Sequence, residues 1–180
     1  LRLIEALYRK TPFDGVIGTD DGTLELTTVV ATEFGLNTNP LLSTKISRRK
    51  DRSRVVQRDF GLRTPWFVSA AVCGQGEPKV PSGVSYPCVA KPVTLSASRG
   101  VIRANNDQEL VAALSRISKI IESAGPEHPR VVLIEEYIPG MEYVVEGLLD
   151  SGNWRTMAIF GKPEPLEGPF FEETIYIAPP

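Results

Sequence analysis

Residues 86–105 read YPCVAKPVTLSASRGVIRAN. Two apolar runs, YPCVAKPV and GVIRA, flank the polar stretch TLSASR, a pattern that predicts two strands joined by a loop of small and hydroxyl-bearing residues. Lys91 stands on the first strand, directly before a proline. Backbone N–H groups, hydroxyls and cations stabilise a phosphate, and small residues let the backbone come close to it. Ser96, Ser98, Arg99 and Gly100 supply those groups. A charge-assisted hydrogen bond from Lys91 to a phosphate would add about 1.5–3 kcal/mol. The stretch is not a Walker loop, because it lacks G-x-x-x-x-G-K and leads into a strand rather than a helix. On these residues alone, a surface hairpin whose lysine reaches solvent is the alternative.

Downstream, NNDQELVAALSRISKII predicts a helix over 107–122, capped by Asn106 with Glu109 completing a capping box. Leu110, Leu114, Ile117 and Ile121 form its buried stripe. RVVLIEEYI reads as a strand ending at a Pro-Gly turn, and MEYVVEGLL and WRTMAIFG as a hairpin closed by DSGN. Strand alternation sets Glu142 and Glu146 on one face of MEYVVEG. That face is either solvated, the commoner case in an antiparallel sheet, or gathers carboxylates to bind hydroxyls or cations.

Upstream, LRLIEALYRK is an amphipathic helix and FDGVIGTDD a short strand. GTLELTTVVATEFG is a helix with Leu26, Val29, Val30 and Phe34 on one face and Gly35 as its stop. STKISRRKDRSRVVQRDFG reads as one strongly basic helix ending at Gly61, LRTPWFVSAAV as a strand, and CGQGEPKVPSG as a loop. The expected organisation is a partial Rossmann-like unit over 1–44, a connecting basic helix over 45–63, and a nucleotide-binding region over 64–180. No G-x-G-x-x-G fingerprint is present.

The 180 residues are 42% hydrophobic and carry a net charge of −2, enough apolar material for a core and no general pull toward nucleic acid. No apolar run reaches the roughly 18 residues of a membrane span, so no membrane partner is expected. Two cysteines fit reduced thiols and a cytoplasmic setting better than a disulfide framework. The one histidine, His128 in GPEHPR, makes a catalytic triad or histidine-rich metal site hard to build. The chain starts without methionine inside a helical pattern and stops at Pro179 and Pro180, which reads as a fragment. Lys45, Arg48, Arg49, Lys50, Arg52, Arg54 and Arg58 form the one stretch that suits nucleic acid. The acidic balance and the lack of interleaved aromatics rank that reading low. Oligomeric state is not legible.

Together, VAKPVTLSASRGV and LIEEYIPGMEYVVEG, in that order and at that separation, resemble the ATP-grasp enzymes, specifically carboxylate–amine ligases. The resemblance spans about Phe13 to Pro179. It implies an α/β (α+β) fold: a partial Rossmann-like unit, then the ATP-grasp central subdomain with antiparallel strands, ending before the C-terminal catalytic part. It implies that Lys91 touches ATP phosphates and that Ser96 to Gly100, with Ser98 and Arg99, fold over them. Glu135 would take the purine amino group, the backbone of Glu136 and Ile138 the ring edge, and Glu142 the ribose hydroxyls. Lys50, in the pattern K-D-R-S-R, would reach the nucleotide as well. The closing GKPEPLEGPFFEETIYIAPP looks like the dipeptide-forming and carnosine-synthase branch. The implied chemistry is transfer of the γ-phosphoryl of ATP to a carboxylate, followed by displacement of phosphate by an amine. The implied partners are ATP, magnesium and small carboxylate and amine substrates, amino acids among them. The family's magnesium ligands are expected beyond Pro180, so no metal ligand or catalytic residue is assigned here. Glu172 and Glu173 fall too early for that motif and are read as structural. The piece alone is expected to lack turnover, and a nucleotide-binding module without activity is the alternative.

Overall fold

The computed structural model describes residues 1–72, 76–164, 166–171 and 175–179. The chain divides into two units, Leu1–Thr64 and Pro65–Pro180.

The second unit is built on four antiparallel strands: β1 (Phe67–Ala71), β2 (Cys88–Pro92), β3 (Ile102–Ala104) and β4 (Val131–Glu136), in the order β1-β4-β2-β3. The segment 86–105 is therefore a strand, a loop and a strand, with Cys88 opposite Ala104. Alternate residues point to opposite faces. Cys88, Ala90, Ile102, Ala104, Val132 and Ile134 pack on the helix α5 (Asp107–Ala124), whose Leu110, Leu114, Ile117 and Ile121 are no more than 1% exposed. Truncating one of these, as in Leu114→Ala, would cost about 2–5 kcal/mol. The registers Val89 opposite Arg103, Val89 opposite Glu135 and Lys91 opposite Leu133 set those five residues on the other face. A charged row thus shares a sheet with the core.

Helix α5 starts where its capping residues dictate. Asn106 Oδ1 accepts from Glu109 N–H at 2.9 Å, while the Glu109 carboxylate reaches back to Asn105 N–H at 2.9 Å. The box closes one residue further out than its usual form. Tyr86 donates its hydroxyl to Asp107 Oδ1 at 2.6 Å, tying the lead-in of β2 to the first turn of α5. Burial, and then that carboxylate, push the Tyr86 phenol well up.

A hairpin follows, β5 (Tyr143–Asp150) and β6 (Asn153–Gly161). Its two turn residues, Ser151 and Gly152, both have left-handed φ (51° and 82°), which matches the twist of the flanking strands. The register shifts between Glu146 and Gly147. A Cβ at Gly147 would lie 2.4 Å from the Trp154 ring and 2.5 Å from Arg155 O, so only glycine fits. Beyond β6, residues 166–170 lie along the free edge of β3: Arg103 N–H donates to Pro169 O at 2.8 Å and Ile102 bridges Phe170. Arg103 also donates to Glu167 O at 2.9 Å and stacks over the Tyr137 ring at 4.2 Å.

The first unit holds the helices α1 (Arg2–Lys10), α2 (Leu24–Glu33), α3 (Leu41–Ser47) and α4 (Lys50–Asp59). Tyr8 stacks on Phe34 at 4.4 Å and meets Phe13 edge-on at 4.8 Å. Gly35 ends α2 with φ +64°, and Leu36 N–H caps Ala31 O at 2.8 Å, the expected stop. Three sequence expectations need correction. Residues 13–21 form no strand, since the described residues of this unit offer no neighbouring strand to take their backbone groups. Val30 is buried as expected, but Leu26 is 53% exposed, and Thr28 and Ala31 take the inward places, Thr28 through its buried hydroxyl bond to Thr44 (3.0 Å). The basic stretch is two helices rather than one. Arg49 is extended (φ −110°, ψ 100°) and its guanidinium grips both carboxylate oxygens of Asp51, at 2.9 and 2.7 Å. Residues two apart do not face each other on a continuous helix, so the fork and the break go together. Burial pushes the Asp51 carboxyl up, but the Arg49 fork outweighs it and holds it below the usual carboxylate range.

Candidate functional site

Lys91 and Glu135 form an ion pair across β2 and β4, with the side chains 17% and 7% exposed. The pair is diagonal: Glu135 sits opposite Val89, two residues before Lys91 on the same face. Neither group can leave water cheaply alone, so each stabilises the other as charged. One residue past Lys91 the strand ends and the hydroxyl-rich loop begins. Val93 and Leu95 are buried at its base, while Ser96, Ala97 and Arg99 are exposed at its tip. Arg99 N–H donates to Ser96 O at 3.3 Å and Val101 N–H to Ser98 O at 3.1 Å, so the tip folds as a tight turn.

Beyond Glu136, the last residue of β4, the chain leaves the sheet through a short connection. Glu136 N–H donates to Trp66 O at 3.1 Å and Tyr137 N–H to Pro87 O at 3.3 Å. Ile138 is 67% exposed. Of the groups read from the sequence for a ring edge, the Glu136 N–H is therefore already engaged.

Glu142 makes a second ion pair, with Lys162 Nζ at 2.5 Å, and Lys162 is 7% exposed. The lysine lies directly after β6, next to Tyr176, whose ring centroid is 5.3 Å from Nζ. Sequence reasoning did not single out Lys162. The signal was available: MAIFGK, like CVAK, runs a lysine off an apolar strand. The register shift follows Glu146, so alternation from Glu142 to Glu146 is unbroken, yet Glu146 is simply exposed. Lys50 is the first residue of α4 and belongs to the first unit. Glu172 and Glu173 lie outside the described residues.

Among the described residues, no three His, Cys, Asp or Glu side chains converge to hold a metal ion, and no helix is long and apolar enough to cross a membrane. A cavity of about 1010 Å³ runs along α5 and the 167–170 segment, lined by Arg103, Glu109, Arg116, Lys119 and Phe170. None of Lys91, Glu135, Glu142 and Lys162 lines it, so size and chemistry point to different places. The paired charges are the stronger candidate, because a buried ammonium is an anion-binding group held ready, whereas Arg116 and Lys119 of the groove are exposed to water.

Residues 84–180 match the ATP-grasp domain family. The chain belongs to the ATP-grasp family. Its segment 86–105 and both ion pairs fall inside the matched region. A D-alanine–D-alanine ligase from Alcanivorax borkumensis is 30% identical over 146 residues, 81% of this chain and 40% of that protein. The crystal structure of an L-amino acid ligase from Bacillus licheniformis superposes with a TM-score of 0.76 at 29% identity, covering 99% of this chain and 40% of that one. A D-alanine–D-alanine ligase from Bacillus anthracis, complexed with ATP, superposes with a TM-score of 0.61 at 19% identity over 88% of this chain and 50% of that one, a likeness of fold alone. This ATP-grasp chain thus spans 40% of the length of the first two of these proteins.

Proposed function

We propose that this chain is the ATP-binding part of an ATP-dependent carboxylate–amine ligase. The observation that carries the reading is the Lys91–Glu135 pair at the foot of a hydroxyl-rich loop held between two strands. An incoming polyphosphate offers Lys91 a stronger anion than one carboxylate does, and frees Glu135 for a hydrogen-bond donor such as a purine amino group. The loop supplies Ser96, Ser98, Arg99 and Gly100 to the phosphates. Where the chain leaves β4, the Glu136 carbonyl and the Ile138 N–H take the ring edge, since the Glu136 N–H is engaged with Trp66 O. Glu142 accepts from the ribose hydroxyls, and Lys162, released from it, adds a second ammonium. Lys50 is a further candidate for nucleotide contact on the family resemblance alone.

The proposed reaction is the one that membership of the family and the ligases similar to this chain support. A substrate carboxylate oxygen attacks the γ-phosphorus and ADP leaves, giving an acyl phosphate. An amine then attacks the acyl carbon, phosphate leaves with the bonding pair, and the amine gives up a proton. Amino acids are the substrate class that the names of the relatives support. Magnesium, which ligases of this family use, finds no carboxylate cluster among the described residues to hold it, and no step is assigned to it.

Calorimetric titration with ATP tests the reading. The Lys91→Met variant should bind ATP about tenfold to a hundredfold more weakly, the worth of one charge-assisted bond. Unchanged affinity would make Lys91 a structural residue only. Binding without release of ADP and phosphate, in a longer chain supplied with amino acids, would favour a nucleotide-binding module without turnover.

A further inference from the structure

We propose that His128, the one histidine of the chain, is a positioning residue for the loop between β2 and β3. This rests on the nucleotide reading above and adds what holds the loop in place. Thr94 Oγ1 and His128 Nδ1 are hydrogen-bonded at 3.0 Å. Thr94 stands three residues after Lys91 and two before Ser96, between the buried Val93 and Leu95. His128 sits in the turn between α5 and β4, where its N–H donates to Gly125 O at 3.3 Å and Val131 N–H donates to Pro129 O at 2.7 Å. Its side chain is 19% exposed. The bond therefore joins the loop to a turn flanked by α5 and β4, both of which pack in the core.

The other end of the loop is held by contact. Gly100 has φ +77°, and a Cβ there would lie 3.0 Å from Pro92 Cγ. Between the two ends, Ala97 and Ser98 both have φ 53°, a left-handed conformation that side-chain-bearing residues adopt at a cost. An exposed tip with disfavoured dihedrals keeps its shape only if its ends are fixed. Thr94–His128 fixes the first end and Gly100 against Pro92 the second. A threonine hydroxyl both donates and accepts, so the bond serves either protonation state of the ring, whose Nε2 faces Glu127 Oε1 at 3.6 Å. The role is positional.

The test compares ATP with adenosine in calorimetric titrations of the chain and of His128→Ala, Thr94→Val, the double variant and His128→Asn. Each single truncation should weaken ATP about threefold to tenfold, the double no further, and adenosine not at all. Asparagine, with a polar atom near the place of Nδ1, should restore most of the loss. Amide exchange of residues 95–100 without ligand should quicken in His128→Ala and Thr94→Val alike. Additive losses, equal losses for ATP and adenosine, or unchanged affinity with unchanged exchange would each overturn the proposal. A parent chain that binds no ATP would overturn the proposed function itself, and quickened exchange in the variants would then mark the bond as structural only.

Discussion

Lys162 and Glu142 hold each other twice: the Lys162 backbone N–H donates to Glu142 O at 3.0 Å, and its Nζ donates to Glu142 Oε1 at 2.5 Å. The backbone bond extends the β5–β6 pairing by one step, so the two charges meet because the strands do. Burial is unequal, 8% of the lysine side chain being exposed against 50% of the glutamate. Glu142→Gln removes one carboxylate partner of a buried ammonium and should cost about 1–3 kcal/mol, less than a fully buried pair because half of Glu142 is already in water. Lys162→Met keeps the volume and lets Glu142 hydrate, at under about 1 kcal/mol. Urea midpoints of the two variants check the order, and a reversed order would contradict the burial.

Asn106→Ala should destabilise the chain by about 1 kcal/mol through loss of the α5 cap. The Asn105 N–H and side-chain amide, ahead of Asn106, hold the Glu109 carboxyl below its ordinary value of 4.5. A depressed folded pKa stabilises above the unfolded value and ceases to do so as pH falls through the folded one. The stability gap between the parent chain and Glu109→Gln should therefore be full at neutral pH, begin to close below about pH 4.5 and vanish in stronger acid. Denaturation curves across that range would show it, and a gap that widened in acid would be the wrong sign.

Cys88 is fully buried against α5, and burial pushes its thiol up to about 11. The thiolate is the reactive form. Iodoacetamide at pH 8 should leave Cys88 unmodified in the folded chain and label it in urea, as read by peptide mass spectrometry. Labelling at the rate of a free thiol without denaturant would mean that β2 does not face the helix.

Arg103→Lys keeps the charge but loses the planar fork that reaches Glu167 O and the stack on Tyr137. Amide exchange of residues 166–170 should quicken, while that of α5 stays unchanged. Equal protection in both proteins would show that the bonds from Arg103 N–H to Pro169 O and from the Tyr137 hydroxyl to Leu166 O, with the Ile102–Phe170 bridge, hold the segment without the guanidinium.

Much of the second unit could be read from the chain before any coordinates. The loop at 93–101 between two strands, the capped α5 and the hairpin at Ser151–Gly152 all rest on signals carried by adjacent residues: turn formers, an Asn-x-x-Glu cap and regular apolar spacing. Where the signals were local but competed, the reading failed. The Arg49–Asp51 fork broke a helix that composition alone had joined, and FDGVIGTDD had a strand's composition but no strand beside it.

The ion pairs were decided by tertiary structure. Lys91 and Glu135 are 44 residues apart, and they meet only because β4 inserts between β1 and β2 in a register that sets Glu135 opposite Val89. Lys162 finds Glu142 twenty residues away through the pairing of β5 with β6. Sequence pattern determines which face of its own strand a residue takes, because the side-chain period of two is a property of that strand alone. Which charge stands across from it depends on strand order and register, and those are set by the burial of whole faces against α5, a condition no short stretch contains.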